Sequence, residues 1–148
     1  MRLLAALALL ISLVTAAVAG NMIATDLEFT RLETEISFWG RGDYVPAELT
    51  RSRMDREVMA FASDHPQLAD ARRLLASQLA WEAYWAENPG DRAALASEAV
   101  ASQLRLLILR PASRQGWENL LEYSRFLAEP DEAVLLARRQ LAGLPRWQ

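Results

Sequence analysis

An all-α fold is predicted, an N-terminal membrane helix followed by antiparallel α-hairpins, and three observations predict it. Apolar residues recur at spacings of three and four, and no segment alternates with the period of two that a half-buried strand requires. Residues 3–19 form an unbroken uncharged apolar run. Glu98-Ala99-Val100 returns as Glu132-Ala133-Val134, and Arg105, Leu107 and Pro111 return as Arg139, Leu141 and Pro145, each thirty-four residues on.

The apolar run is preceded by Arg2 and the free amine and followed by Asp26 and Glu28. Seventeen helical residues span about 26 Å, short of a bilayer core of about 30 Å, so the span is complete when Gly20 to Ala24 join it. Residues 1–24 are therefore read as a signal-anchor crossing the membrane once, with the positive end cytoplasmic and the rest of the chain on the other side. The alternative is a secretory signal cleaved after Ala17-Val18-Ala19, which leaves a free periplasmic protein.

Phe29, Leu32, Ile36 and Trp39 share one helical stripe, and Gly40-Arg41-Gly42-Asp43 reads as a hinge, so 25–42 is a juxtamembrane helix with its hinge and 43–148 the helical domain. Pro46 suits the opening of the next helix, whose apolar face is Met54, Val58 and Phe61 and which closes before Pro66. On its polar face Arg51 to Asp55 and Arg53 to Glu57 lie four apart and are expected to pair. The stretch from Gln67 to Glu87 is rich in Ala and Leu, with Trp81, Tyr84 and Trp85 near its end. Asn88-Pro89-Gly90-Asp91 stops it, and Asn88 or Asp91 caps a helix that buries Ala99, Val100, Leu104, Leu107 and Ile108 and ends at Pro111. Ser113 caps a helix carrying Trp117, Leu120, Leu121 and Leu127, and Glu129-Pro130-Asp131 begins the last, which Gly143 and Pro145 end.

A period of thirty-four is that of a tetratricopeptide unit, two antiparallel helices that bury their apolar face only by stacking on a neighbour. In the second hairpin Trp117, Leu120, Ala133 and Pro145 supply the large residue, the leucine, the small residue and the closing proline of such a unit. A bulky group in one helix must face a small one in the other for the backbones to approach, which makes Ala133 the expected sensitive position. The order of parts, with Leu107-Ile108-Leu109-Arg110-Pro111 followed by Trp117-Glu118-Asn119-Leu120, resembles that of small single-pass tetratricopeptide-like (TPR-like) proteins of bacterial exopolysaccharide biosynthesis. The tail Gly143-Leu144-Pro145-Arg146-Trp147 is similar to the Gly-Pro-Trp-like ending of that group, differently spaced. The resemblance implies a scaffold for protein–protein contacts on the periplasmic side of a bacterial inner membrane, its groove lined by the first helix of each hairpin. Gln115, Glu118, Glu122 and Arg125, along the Trp117 helix, are then the candidate partner-binding face. Two hairpins are few for a free-standing solenoid, so other envelope or membrane proteins, or self-association, are expected to complete it.

Chemistry is sparse. A formal net charge of −3 provides no basic face for nucleic acid, and all sixteen basic residues are Arg. No Cys is present, so disulfides and thiolate metal sites are excluded, and the single His65 falls in a turn before Pro66 without partners for a zinc site. Ser63, Asp64 and His65 adjoin in sequence, which is not the spatial convergence of a triad, and no nucleophile elbow or phosphate-cradling glycine loop occurs. The expectation is no catalytic residue, no cofactor and no metal. The opposing readings are a glycan-cleaving enzyme using Glu118 and Glu122 as its two carboxyl groups, and a membrane subunit whose Phe29, Leu32, Ile36 and Trp39 stripe pairs with a foreign helix. Trp81, Tyr84 and Trp85 can stack on sugar rings, though aromatics at helical spacing are expected first in a core.

Overall fold

The computed structural model describes residues 2–42, 44–127, 129 and 131–145. Asp43 of the expected hinge, Pro130 before the last helix and the Arg146-Trp147 tail lie outside them. Among the described residues the chain is helical without strands, in six α-helices: α1 (Arg2–Phe38), α2 (Glu48–Asp64), α3 (Ala69–Trp85), α4 (Pro89–Leu109), α5 (Arg114–Tyr123) and α6 (Asp131–Gly143).

The apolar run and the juxtamembrane stripe are one continuous helix. At 37 residues α1 is about 55 Å long. It is long and apolar enough to cross a membrane, and every side chain from Leu9 to Ala24 is exposed. The hydroxyls of Thr15 and Thr25 turn back to donate to the carbonyls of Ile11 (2.9 Å) and Asn21 (3.0 Å), which satisfies them without solvent.

The other end of α1 is spent inside the chain. Leu32, Ile36 and Trp39 are buried in one core with Met54, Val58, Phe61 and Ala62 of α2 and Ala71 and Leu74 of α3, and Phe29 packs against it. The expectation that this stripe could pair with a foreign helix is thereby corrected: α2 and α3 already cover it. In the turn after α1, Gly40 N donates to Tyr44 O and Tyr44 N to Arg41 O, both at 3.2 Å. Gly40 adopts φ +69°, and a Cβ there would stand 2.1 Å from Trp81 Cη2, so both backbone conformation and space demand glycine.

Helix α2 begins two residues after Pro46 and runs back along α1, with the Phe29 and Phe61 rings 6.3 Å apart. Its charges do not pair four apart as expected. Arg51 reaches Glu82 of α3, Glu57 accepts from Arg31 of α1 (2.9 Å), and Asp55 accepts from Gln78 Nε2 (3.3 Å). The physical reason is that the polar face of α2 borders both neighbours, so longer side chains close gaps between helices where partners are partly desolvated.

The hairpin of α3 and α4 is joined through small residues, with Leu79 and Ala80 packed on Ala99. Asn88 is its cap, the side chain accepting from Gly90 N at 2.8 Å, and Pro89 occupies the first helical position. Ile108, expected in the core, instead faces outward. Its place is taken by Leu106, which with Leu107 faces α5. Ser113 caps α5 by accepting from Gly116 N (3.1 Å), and Trp117 donates to Pro111 O (2.8 Å). Against α6 these residues form a second core of Val100, Leu106, Leu107, Trp117, Leu120 and Ala137. Ala133 packs on this core half-buried, while Ala137, one turn on, is enclosed completely. Some positions thirty-four apart share a facing: Glu98 and Glu132, like Arg105 and Arg139, are exposed, and Ala99 with Ala133 and Leu107 with Leu141 turn inward, whereas Ser102 and Leu106 are buried and Leu136 and Gln140 exposed.

Candidate partner-binding groove

The last turns of α3 place Trp81, Tyr84 and Trp85 on one side, because residues three and four apart share a helix face. Trp81 and Trp85 stack with centroids 5.2 Å apart, and Trp85 meets Trp39 at 5.4 Å. Trp85 is held from its far side by the Arg51 guanidinium, 5.0 Å from the ring centroid. The hydrogen bonds that Arg51 donates to Glu82 raise its pKa above the ordinary value, so this cation is fixed.

Tyr84 is the ring left over. It is 58% exposed and stands edge-on to Trp81 (5.7 Å) and to Phe126 (6.3 Å), the latter from the short 3-10 turn Ser124–Phe126 that follows α5. Between these rings, the Gly40 turn and the end of α5 lies an open groove of about 710 Å³, lined in addition by Tyr44, Val45, Ser77, Glu122 and Tyr123. Tyr123 packs into both the second core and the α3–α4 seam. Burial pushes its phenol above the ordinary value, against the lowering effects of a hydrogen bond with Ser77 and the charge of Arg73. The groove therefore offers aromatic faces with, among the described residues, one rim carboxylate, an arrangement suited to gripping an apolar or aromatic anchor.

Gln115, Glu118, Glu122 and Arg125 are all exposed, but the structure does not bring them to one site. Glu122 lines the groove and pairs with Arg125 at 3.3 Å. Gln115 is turned to Asn119 (2.9 Å) and Glu118 to Arg114 (3.5 Å), nearer the other end of α5. Glu118 and Glu122 each face an Arg in solvent, which supplies none of the desolvation that a glycosidic acid needs. Of the packing residues, Trp117 and Leu120 are buried, Ala133 is half-buried and Pro145 lies exposed beyond α6. His65 caps α2 with its ring 4.8 Å from Phe61, and among the described residues no three His, Cys, Asp or Glu side chains gather as metal ligands would.

The residues sequence reasoning missed are Tyr44 and Phe126. Tyr44 lies in a connection without periodicity, and Phe126 follows a helix whose stripe ends before it. Only the aromatic content near Trp81 pointed to this place, and there the division between core rings and the exposed Tyr84 is set by neighbours far along the chain. Comparison with known protein families, curated proteins and solved structures finds no match to this chain.

Proposed function

We propose that this chain is a single-pass, TPR-like scaffold of the bacterial inner membrane whose periplasmic helical domain grips a partner protein of an envelope or exopolysaccharide assembly in the aromatic groove. The observation that carries the reading is the groove itself, in which the exposed Tyr84 stands among Trp81, Trp85 and Phe126, with Glu122 on the rim. Aromatic side chains bury large area at small entropic cost and dominate the binding energy of interfaces, so such a cluster is a ready anchor. In support of the hairpin reading, the walls of the groove come from α3 and from the end of α5, the first helices of the two hairpins. Membrane tethering through α1 would raise the effective concentration of partners confined to the same layer. The link to exopolysaccharide rests on the resemblance carried by Leu107 to Pro111 and Trp117 to Leu120.

Photo-crosslinking tests this in native membranes, with a photoreactive phenylalanine analogue in place of Tyr84 or of Arg105, which is exposed on α4. A discrete protein adduct is expected at position 84, absent at 105 and lost when Phe126→Ala is added. No adduct at 84, or the same adducts at both positions, would overturn the assignment of the groove.

A further inference from the structure

The helices alternate in direction, and three contacts fix how far along α1 the lower loops reach. Phe29 of α1 faces Phe61 of α2, and the His65 ring lies 4.8 Å beyond Phe61 in the direction of the α1 N-terminus. One helical turn below Phe29, about 5.4 Å, is Thr25, so the α2–α3 loop stands level with that residue. Consistent with this, a cleft joins Met22, Ile23 and Thr25 to His65, Leu68 and Asp70. Asp70 in turn holds Arg110 by two hydrogen bonds, at 2.8 and 3.0 Å. The end of α4 is thus level with the last residues of the apolar stretch of α1.

At that level the surface is apolar where nothing in the chain accounts for it. Ile108 is 79% exposed and Leu109 40%, with Arg110 next in sequence. Helix α1 is unbroken from the apolar stretch into the core, so it fixes the height of the domain and gives it no hinge on which to lift away.

We propose that this lower end of the domain seats on the lipid surface from which α1 emerges, with Ile108 and Leu109 entering the headgroup boundary and Arg110 lying along it. The inference rests on α1 spanning a bilayer, as in the proposed function. An apolar pair beside an Arg suits this layer, where the aliphatic groups leave water and the guanidinium remains among headgroups. Charge does not drive it. Arg72, on the Pro66 carbonyl, and Arg110 are outweighed by Asp26, Asp70 and the Asp64 that ends α2 at the same end, so a zwitterionic surface suffices.

The absence of Cys makes the test direct. The full chain carrying Val18→Cys, Ile108→Cys or Leu49→Cys is labelled with an environment-sensitive fluorophore and reconstituted in phosphatidylcholine vesicles containing a lipid brominated near the headgroup end of its acyl chains. Leu49, 81% exposed at the opposite end of α2, lies about 18 Å above Phe61 and serves as the distant control. Strong quenching is expected at 18 and 108 and none at 49, and Ile108→Asp in a chain labelled through Leu109→Cys should abolish quenching at 109. Quenching at 18 with none at 108 overturns the seating and leaves the tether intact. No quenching at 18 overturns the spanning helix as well, and equal quenching at 108 and 49 overturns the choice of face.

Discussion

The core of α1, α2 and α3 is closed by large rings and by charges that meet charges, whereas the core of α4, α5 and α6 is built of aliphatic side chains around Trp117 with one enclosed alanine, and is closed by side chains that end on backbone oxygen. In the first, Trp39 meets Trp85 and Phe29 meets Phe61, and Arg31–Glu57, Arg51–Glu82 and Arg73–Glu33 tie the three helices together. In the second, Gln103 donates to Gly116 O (2.7 Å), Trp117 to Pro111 O, and Arg114 to the carbonyls of Leu141 (3.1 Å), Leu144 and Pro145 (3.0 Å). The difference teaches where each half is vulnerable. Shape and glycine geometry govern the first, and the one enclosed alanine and the helix ends govern the second.

Gly40→Ala should break the first core with the largest effect. Positive φ and a clash with Trp81 act together, for a loss of about 3 kcal/mol. Gly42→Ala separates the two causes, since Gly42 has φ +58° but nothing within 4 Å, and should cost only about 1 kcal/mol. Hydrogen exchange of the chain in detergent checks both, with peptides of α2 and α3 losing protection and those of α6 keeping it. Equal effects of the two substitutions would remove the contact with Trp81 from the explanation.

Ala137→Leu is the matching blow to the second core. Overpacking a fully enclosed site costs about 2 kcal/mol, and Ala133→Leu, at a half-buried site, should cost less. The order of the two, read from urea unfolding, distinguishes this packing from the tetratricopeptide pattern, in which Ala133 is the tight position. Arg114→Ala should remove about 1–2 kcal/mol by leaving the last carbonyls of α6 without their donor, and exchange should rise in 138–145 alone. Arg51→Ala should cost about 1 kcal/mol, and because it removes an ion pair at the helix border, its cost should shrink in molar salt while that of Arg114→Ala changes less.

What was legible in the sequence follows the range of the interactions. Leu32, Ile36 and Trp39 announce a buried face through spacing alone, and Asn88 and Ser113 announce helix starts because a cap acts within three residues. The same spacing rule failed for Arg51 and Glu57, whose partners Glu82 and Arg31 lie on other helices and leave no trace in local pattern. Gln78 and Gln103 carry no local signal of burial, yet both are fully buried, and Asp55 and the Gly116 carbonyl come to meet them. The groove was least legible, since Tyr44, Tyr84 and Phe126 converge only through the packing of three separate elements.

Tyr123 joins the two halves and yields the smallest and sharpest prediction. Its ring packs on Trp117's core and on the α3–α4 seam, and burial raises its pKa above the ordinary 10.0. The folded state therefore keeps the phenol proton at pH values where the unfolded chain has released it. Stability from this source is complete below pH 10 and is lost as pH climbs from there toward the folded value, since the unfolded state then binds fewer protons. The chain has no Lys, so tyrosines are almost the only side chains that titrate in this window. Urea unfolding between pH 9 and about 11 should show a decline that Tyr123→Phe flattens in part, the remainder belonging to the Tyr44 phenol, which burial and Glu35 also raise. An unchanged decline in Tyr123→Phe would mean that the junction between the two cores admits water, and that their different modes of closure do not meet at this residue.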